Sequence, residues 1–507
     1  MKRIVFLSLA VLLLAACHRP EVIFDNTPRV TQAPDFIYLE DSHFALNGAE
    51  WFPIMLNYKA DWRRIDDTVC LSPAFYYDDP DRWEHNTSQG TCSQLLGHFR
   101  TIAAMGFNCV RICIDVANSN EHGYFYGSAD SPIYLVADSS AIFQALTQVL
   151  QSCAQSGLRA MLLLKAPLDP ELEAFAQGLM RHFADNPTLF AYDLMNEPLY
   201  FDPAERREKA EAYAIVDSWR RWMNLFAPHQ LFTIGFSEPI EAFEWDPSVL
   251  PVDFVEVHSY NPLRVPSEFY WYGHYCGKPW MVGETALPAD NDSIPYAYQS
   301  RFLAESFQCA VNNGACGYGW WEFQDCPQGV NFEAQYTGLL SHDGASQPKP
   351  AVQLVSQLNP HARTHAARPC NYYNMLGYGN FAIQGRIVDG DNQPVEGAVV
   401  RGWNKNWSIG MNTFSAPDGT FTLYSNDRCE HFEISAPGYT HTKFDRRPSY
   451  APVPASLENQ YLEYQSIDYR QYLLSDTSLL QFDSTRFAQA KSTAHFAPIT
   501  LKPLKTR

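Results

Sequence analysis

This sequence is poor in charge, poorer still in positive charge, and has no long hydrophobic run beyond its N-terminus. Charged residues are 18% of 507, split as 37 Lys and Arg against 56 Asp and Glu, a formal net charge of −19. That acidic balance lacks the basic footprint of a nucleic-acid binder, so no nucleic-acid partner is expected. Low charge beside 46% hydrophobic residues excludes wholesale disorder. After the N-terminus no uninterrupted apolar stretch reaches the length of about 18 residues that a membrane-spanning helix needs. Also missing are a Gly-rich phosphate loop, a His-Glu-x-x-His zinc motif, a nucleophile elbow and zinc-finger cysteine spacing. No metal and no cofactor are therefore expected. Asp389-Gly390-Asp391-Asn392 has the composition of a calcium loop but reads more simply as a hairpin turn.

Aromatic residues are plentiful: 12 Trp, 28 Tyr and 32 Phe. Large cores would account for them, and so would a binding cleft lined with flat rings. The length suggests two to four domains, since a single barrel can use 250 residues or more.

Residues 1–20 read MKRIVFLSLAVLLLAACHRP. A basic start, an apolar stretch Ile4–Leu13 and small residues at Ala15 and Ala16 make a secretory signal. Leu14-Ala15-Ala16-Cys17 resembles the bacterial lipobox, which implies a signal over 1–16, lipidation of Cys17 and a membrane partner through that anchor. The alternative is an ordinary signal with a chance Cys. The expected location is the cell envelope, lipid-anchored in the outer membrane. Residues 17–35 then form the lipidated N-terminus and a tether. Of the remaining cysteines, Cys70 with Cys92 and Cys316 with Cys326 could form bridges, while Cys109 and Cys113 read as buried thiols.

From 36 to 360, short apolar β-like runs alternate with helical stretches. The strands are expected at Trp51–Tyr58, Cys109–Val116, Leu158–Lys165, Phe190–Asn196, Gln230–Phe236, Phe254–Tyr260, Trp280–Glu284 and Ala315–Trp321. Helices are expected at Ser140–Ser156, Asp169–Ala184, Ala204–Phe226 and Ala351–Leu358. Eight β–α units predict an α/β fold, a (β/α)8 TIM barrel. Residues 361–379 read as a linker. From 380 to 507 the pattern becomes a small all-β sandwich of transthyretin/Ig-like type, with strands at Phe381–Val388, Gly397–Trp403, Gly419–Tyr424, His431–Ser435 and Phe496–Leu501. Its motifs, Ile383–Val388, Pro394–Ala398, Asp418–Phe421 and Ala436–Tyr439, resemble the carboxypeptidase-regulatory-like domain. A spacing or adhesion role is expected for it, so that deleting 380–507 leaves hydrolysis of small substrates intact.

In a barrel of this kind the site lies at the C-terminal ends of the strands. The fourth expected strand ends in Asn196-Glu197-Pro198 and the seventh in Gly283-Glu284-Thr285. Two carboxylates at one mouth are what glycoside hydrolysis needs, one to protonate the leaving oxygen and one to attack or to activate water. With these motifs, and with Phe44–Gly48 and Phe52-Pro53-Ile54 at its start, the segment resembles the clan A glycoside hydrolases, closest to the cellulase-like family 5. The resemblance implies Glu197 as acid/base and Glu284 as nucleophile of a retaining, endo-acting enzyme on cellulose-, mannan- or xyloglucan-like substrates. It implies substrate-site roles for Arg111, Asn196, His258, Tyr260 and Trp320 or Trp321, with Trp321 favoured as the sugar floor. Arg111 and Tyr260 are expected to keep Glu284 ionised, His258 to bond Glu197 or the sugar, and Asn196 to bond the hydroxyl beside the reacting carbon. The His that the family carries after the third strand is missing from Leu164–Asp169; Lys165 stands there, and His122 is a substitute. Trp62, Tyr76, Tyr77, Trp83, Tyr124, Tyr126, Trp245, Trp271 and Tyr272 are candidates for further sugar subsites. The competing readings are a catalytically weak or inactive glycan-binding envelope lipoprotein and a mainly structural envelope protein.

Overall fold

The computed structural model describes residues 22–74, 87–113, 138–164, 168, 170–326, 332–341, 347–366, 368–369, 380–408, 410–425, 427–450 and 492–507. An antiparallel hairpin comes first, β1 (Ile37–Glu40), β2 (His43–Leu46) and β3 (Ala49–Glu50). Then follow β4 (Ile54–Ile65), β5 (Thr68–Pro73), β6 (Cys109–Cys113), β7 (Arg159–Leu163), β8 (Leu189–Asn196), β9 (Leu231–Phe236), β10 (Val255–His258), β11 (Trp280–Glu284) and β12 (Tyr318–Trp320). Strands β4 and β6 to β12 pair in parallel in that order, and β12 pairs back to β4, closing an eight-stranded barrel. Helices Ser88–Met105, Ser139–Gln155, Pro170–Phe183, Lys209–Phe226, Val265–Tyr275 and Tyr296–Asn312 fall between the strands. All eight expected strands are present.

The period-2 alternation of a strand explains what fills the barrel. One set of residues, including Leu56, Val110, Leu162, Tyr192, Ile234, Val257, Val282 and Trp320, joins the large core shared with the helices. The other set points inward. At the bottom it is apolar: Met55, Cys109, Met161, Ala191 and Met281 cluster under Phe44 of the hairpin, whose ring meets Phe190 and Phe254 edge-on. Two residues up the same strands the set becomes Asn57, Arg111, Asp193 and Gly283, so polar groups stand above the apolar plug.

The stretch after β4 is not an open insertion from Ala60 on. β4 runs on to Ile65 and pairs with β5 as an antiparallel hairpin. Helix Lys209–Phe226 starts five residues later than expected, where Glu208 and Glu211 form a capping box. Cys70, Cys92, Cys316 and Cys326 are all free thiols, so neither expected bridge forms; the Cys92 thiol bonds the Gln148 amide oxygen at 3.0 Å. Cys109 is buried and Cys113 half-buried.

The C-terminal part is two sheets. One contains β13 (Phe381–Val388), β16 (Thr420–Ser425), β19 (Ser492–His495) and β20 (Ile499–Thr500). The other runs in the order β15 (Gly410–Phe414), β14 (Val399–Asn404), β17 (Cys429–Ser435), β18 (Thr442–Asp445). The expected last strand is therefore two short ones, and β15 and β18 are additions.

This unit is docked on the barrel. The buried Lys209 ammonium bonds Asp246 at 2.7 Å and the carbonyls of Ala436 and Tyr439 at 3.0 and 2.7 Å. The Trp271 indole N–H donates to Gly397 O at 2.9 Å, and Phe243 stacks on His441. The unit is thus packed against the barrel rather than set apart from it. The tether expectation is corrected: Phe24 is buried, exchanges backbone bonds with Lys505 and Arg507, and is followed by a buried Arg29–Asp253 pair at 2.8 Å. Cys17 lies outside the described residues, as do all of 370–379 and 451–491.

Candidate active site

Parallel strands buried on both faces read as apolar runs, so a charged residue inside one is out of place. Four such residues meet above the apolar plug: Arg111 on β6, Asp193 on β8, Glu256 on β10 and Glu284 at the end of β11, all buried. Arg111 is their centre. Its Nη1 reaches Glu284 Oε1 at 2.5 Å and Asn57 Oδ1 at 3.0 Å. Its Nη2 reaches Asp193 Oδ2 at 2.6 Å and Asn196 Oδ1 at 2.8 Å. Asn57 donates in turn to the carbonyls of Gly283 and Trp320, tying the guanidinium to β11, which carries Glu284, and to its neighbour β12.

Glu284 accepts from Arg111 through one oxygen and from the Tyr260 hydroxyl through the other. Burial opposes its ionisation, but His258, Arg111 and the Tyr260 hydrogen bond overcome that and hold the carboxyl below its ordinary value. His258 bonds Glu197 Oε1 through Nδ1 at 2.8 Å, and the same nitrogen lies 3.8 Å from Glu284 Oε1. Burial disfavours charge on this ring too, yet Glu284 and the Glu197 hydrogen bond push its pKa up to about 9.

Local backbone aims these groups. The ladder between β10 and β11 shifts register between Val257 and His258, which sets His258 opposite Glu284. A second shift, between Asp193 and Asn196, sets Asn196 opposite Gly235. Pro198 disfavours a right-handed helical conformation at Glu197. Glu197 instead takes φ 39° and ψ 74°, a left-handed conformation uncommon without glycine, and its N–H is fixed on Gly235 O at 2.8 Å. Gly235 and Gly283 leave room for the His258 ring: a Cβ on Gly235 would stand 2.5 Å from Cε1 and one on Gly283 2.9 Å from Nε2.

The structure thus brings Glu197, Glu284, Arg111, Asn196, His258 and Tyr260 together. Asn196 gives its amide oxygen to Arg111, which leaves its NH2 as the donor. Trp320 is a correction. It shares a face with Tyr318, is fully buried beside Phe302, and donates its indole N–H to Thr337 O at 3.1 Å, so it belongs to the core between strand and helix. Trp321, one residue on, is partly exposed, with the Lys59 ammonium 5.8 Å from its ring centre. Lys59 pairs with the buried Glu322 at 3.2 Å. Among the loop aromatics, Trp62, Trp245, Trp271 and Tyr272 are buried in the core rather than exposed to a ligand. Tyr76, Tyr77, Trp83, Tyr124, Tyr126, Lys165 and His122 lie outside the described residues.

Glu197, His258 and Glu284 each offer a ligand atom within 4.8 Å of the others, the spacing of a three-ligand metal set. The donors are already committed: both Glu284 oxygens and the His258 Nδ1 have partners, and a guanidinium 2.5 Å from Glu284 opposes a second cation. The arrangement suits proton transfer and nucleophilic attack better than metal binding. Asn57, Asp193, Glu256, Gly235 and Gly283 were not anticipated as site residues. The signal for the first three was a polar residue inside an apolar β-run.

No protein-family model matches the chain, and no curated protein matches it. Some solved structures align with part of it. β-Glucuronidase 2 of Bacteroides uniformis aligns at 15% identity and a TM-score of 0.43, over 82% of this chain and 48% of that one. The present chain therefore spans about half of that enzyme's length. A β-glycosidase aligns at 13% and 0.43, over 63% of this chain and 99% of that one. The β-glucosidase of Thermotoga maritima aligns at 10% and 0.41, over 60% and 97% respectively.

Proposed function

We propose that the chain is a retaining glycoside hydrolase of clan A, similar to the cellulase-like family 5, with Glu197 as acid/base and Glu284 as nucleophile. The supporting observation is the spacing: carboxylate oxygens of Glu197 and Glu284 come within 4.8 Å of each other. Retaining enzymes hold the two carboxyl groups about 5–5.5 Å apart, whereas inverting ones leave about 6.5–9.5 Å for a water. Glu284, kept ionised by Arg111 and Tyr260, attacks the anomeric carbon as the glycosidic C–O bond breaks. Glu197 gives its proton to the departing oxygen. Glu197 then takes a proton from water, whose oxygen attacks the same carbon and releases Glu284. Asn196 offers its NH2 to the neighbouring sugar hydroxyl, and Trp321 forms the floor.

We infer a β-linked polysaccharide of cellulose, mannan or xyloglucan type as substrate, cut internally. We infer also that Cys17 is lipidated, placing the enzyme on the outer membrane of the cell envelope, and that 380–507 is a carboxypeptidase-regulatory-like domain. The test of the chemistry is Glu284→Ala assayed on a panel of such polysaccharides and aryl glycosides. Turnover is expected to vanish, and azide to restore part of the rate on an activated aryl glycoside with a product of inverted configuration. Full activity without azide would sink the assignment.

A further inference from the structure

The segment just after Glu197 presents apolar side chains to solvent at three consecutive positions. Leu199 is 40% exposed, Tyr200 60% and Phe201 42%. Among the described residues few large apolar side chains are so exposed, and the others lie in the N-terminal segment (Val22, Ile23, Val30), on the outer helix at Leu225 and in the C-terminal unit at Trp407. A cluster of this kind at a site calls for an occupant.

The exposure does not come from a loose loop. Leu199 N–H donates to the buried Glu241 carboxylate at 2.7 Å, and the same carboxylate takes the N–H of Ser237 at 2.6 Å. Tyr200 and Phe201 donate their N–H groups to Glu197 O at 2.9 and 3.0 Å. Asp202 closes the turn on Pro198 O, and its side chain bonds Arg207 and the Trp245 indole. The short helix Pro198–Phe201 is thus fixed from below, with its apolar side chains standing out. Polar groups border it: the Tyr200 hydroxyl reaches Glu238 at 3.3 Å, and Glu238 pairs with the part-exposed Arg264 at 2.7 Å.

We propose that Leu199, Tyr200 and Phe201, with Glu238 and Arg264 at their edge, form the subsite for the leaving-group saccharide. The proposal rests on the hydrolase reading above. The acid/base must reach the glycosidic oxygen, so whatever that oxygen carries away lies on the Glu197 side of the reacting bond. A pyranose has apolar C–H faces and a rim of hydroxyls; an aromatic and aliphatic floor with a carboxylate and a guanidinium beside it matches both. The occupant is therefore a neutral saccharide unit continuous with the one cleaved.

The test compares Tyr200→Ala, Phe201→Ala and Tyr200→Phe with the wild-type chain. Substrates are the aryl glycosides and the β-linked gluco- and manno-oligosaccharides of the panel above. For the two Ala variants, kcat/KM on the oligosaccharide is expected to fall about tenfold relative to kcat/KM on the aryl glycoside. Transfer of the glycosyl group from an aryl glycoside to added free oligosaccharide should fall in parallel. Tyr200→Phe should keep most of both, and Leu225→Ala, an exposed apolar residue elsewhere, should change neither. An unchanged ratio in both Ala variants overturns the subsite and leaves the hydrolase intact. If the ratio is unchanged and Tyr200→Ala turns an oligomer into a monomer, the patch is a face between copies and the proposal is wrong. If the wild-type chain cleaves nothing on the panel, the hydrolase reading falls, and the subsite with it.

Discussion

Glu256 is the residue whose burial has the plainest pH consequence. Neither of its oxygens has a hydrogen-bond partner; Arg111 Nε is 3.6 Å away and His258 Nε2 4.0 Å. Burial and the nearby Asp193 push its pKa from 4.5 up to about 8, against the pull of Arg111 and His258. A carboxyl raised this way keeps a proton in the folded chain that the unfolded chain has lost, so stability declines as pH rises from 4.5 towards 8. His258 adds a decline of the same sign: its contribution is complete below 6.5 and lost as pH rises through about 9. The unfolding temperature should therefore fall between about pH 5 and about pH 9, and Glu256→Gln should flatten the lower part of that fall. An identical slope in the variant would remove Glu256 as its source. Residue by residue, the motif-bearing groups were legible: Asn196-Glu197, Glu284 and His258 with Tyr260 end their strands as a barrel mouth requires. Asp193 and Glu256 were not, because each sits inside a run whose apolar neighbours dominate the pattern. Trp320 and Trp321 could not be separated until the parity of β12 was known, since a one-residue shift changes the face.

At the scale of elements, polar side chains replace methionines up the barrel, and glycine sets how close the strands' contents come. Gly235→Ala would put a methyl 2.5 Å from the His258 ring, and the ring is held on its other side by Gly283. Overpacking of this kind costs about 1–3 kcal/mol. The expected result is a lowered unfolding temperature together with a drop in kcat, as His258 moves off Glu197. A variant with wild-type kcat would show that the ring tolerates displacement. The eight barrel strands could be read because each is buried on both faces and so nearly all apolar. β15 and β18 could not. They are the edges of their sheet, and their residues, Gly410–Phe414 and Thr442–Asp445, are mostly half-buried or exposed with little apolar alternation. The outer half of β4 was hidden for a related reason: Asp61, Arg63 and Arg64 belong to a two-stranded hairpin outside the barrel.

On the scale of the whole molecule, the barrel and the C-terminal sheets are expected to unfold together. Their contact covers a buried ion pair of the barrel, Lys209 with Asp246, and removing one member of such a pair costs about 3–5 kcal/mol because the other is left without its counter-charge. Lys209→Ala strands Asp246 in that way, and is expected to lower the unfolding temperature of both units together, seen as one calorimetric transition. Two separated transitions in the wild-type chain would show the units to be independent. The same contact reaches the site. Ser435 Oγ bonds Ala242 O at 3.3 Å and His441 stacks on Phe243, both in the turn Pro239–Phe243 whose Glu241 holds Leu199 behind the acid/base. Deleting 380–507 is thus expected to lower activity even on small substrates. Sequence composition placed a boundary near 380, but charges such as Lys209 and Asp246 looked like ordinary surface residues until the second unit covered them.

The pairing of Phe24 with Lys505 and Arg507 gives the molecule a mechanical property. Tension on the N-terminal segment does not peel the chain away from one end. Phe24 passes part of the pull to the last residues and so into the C-terminal sheets, while Arg29 passes part to Asp253, beside the barrel strand β10. The two units share the strain.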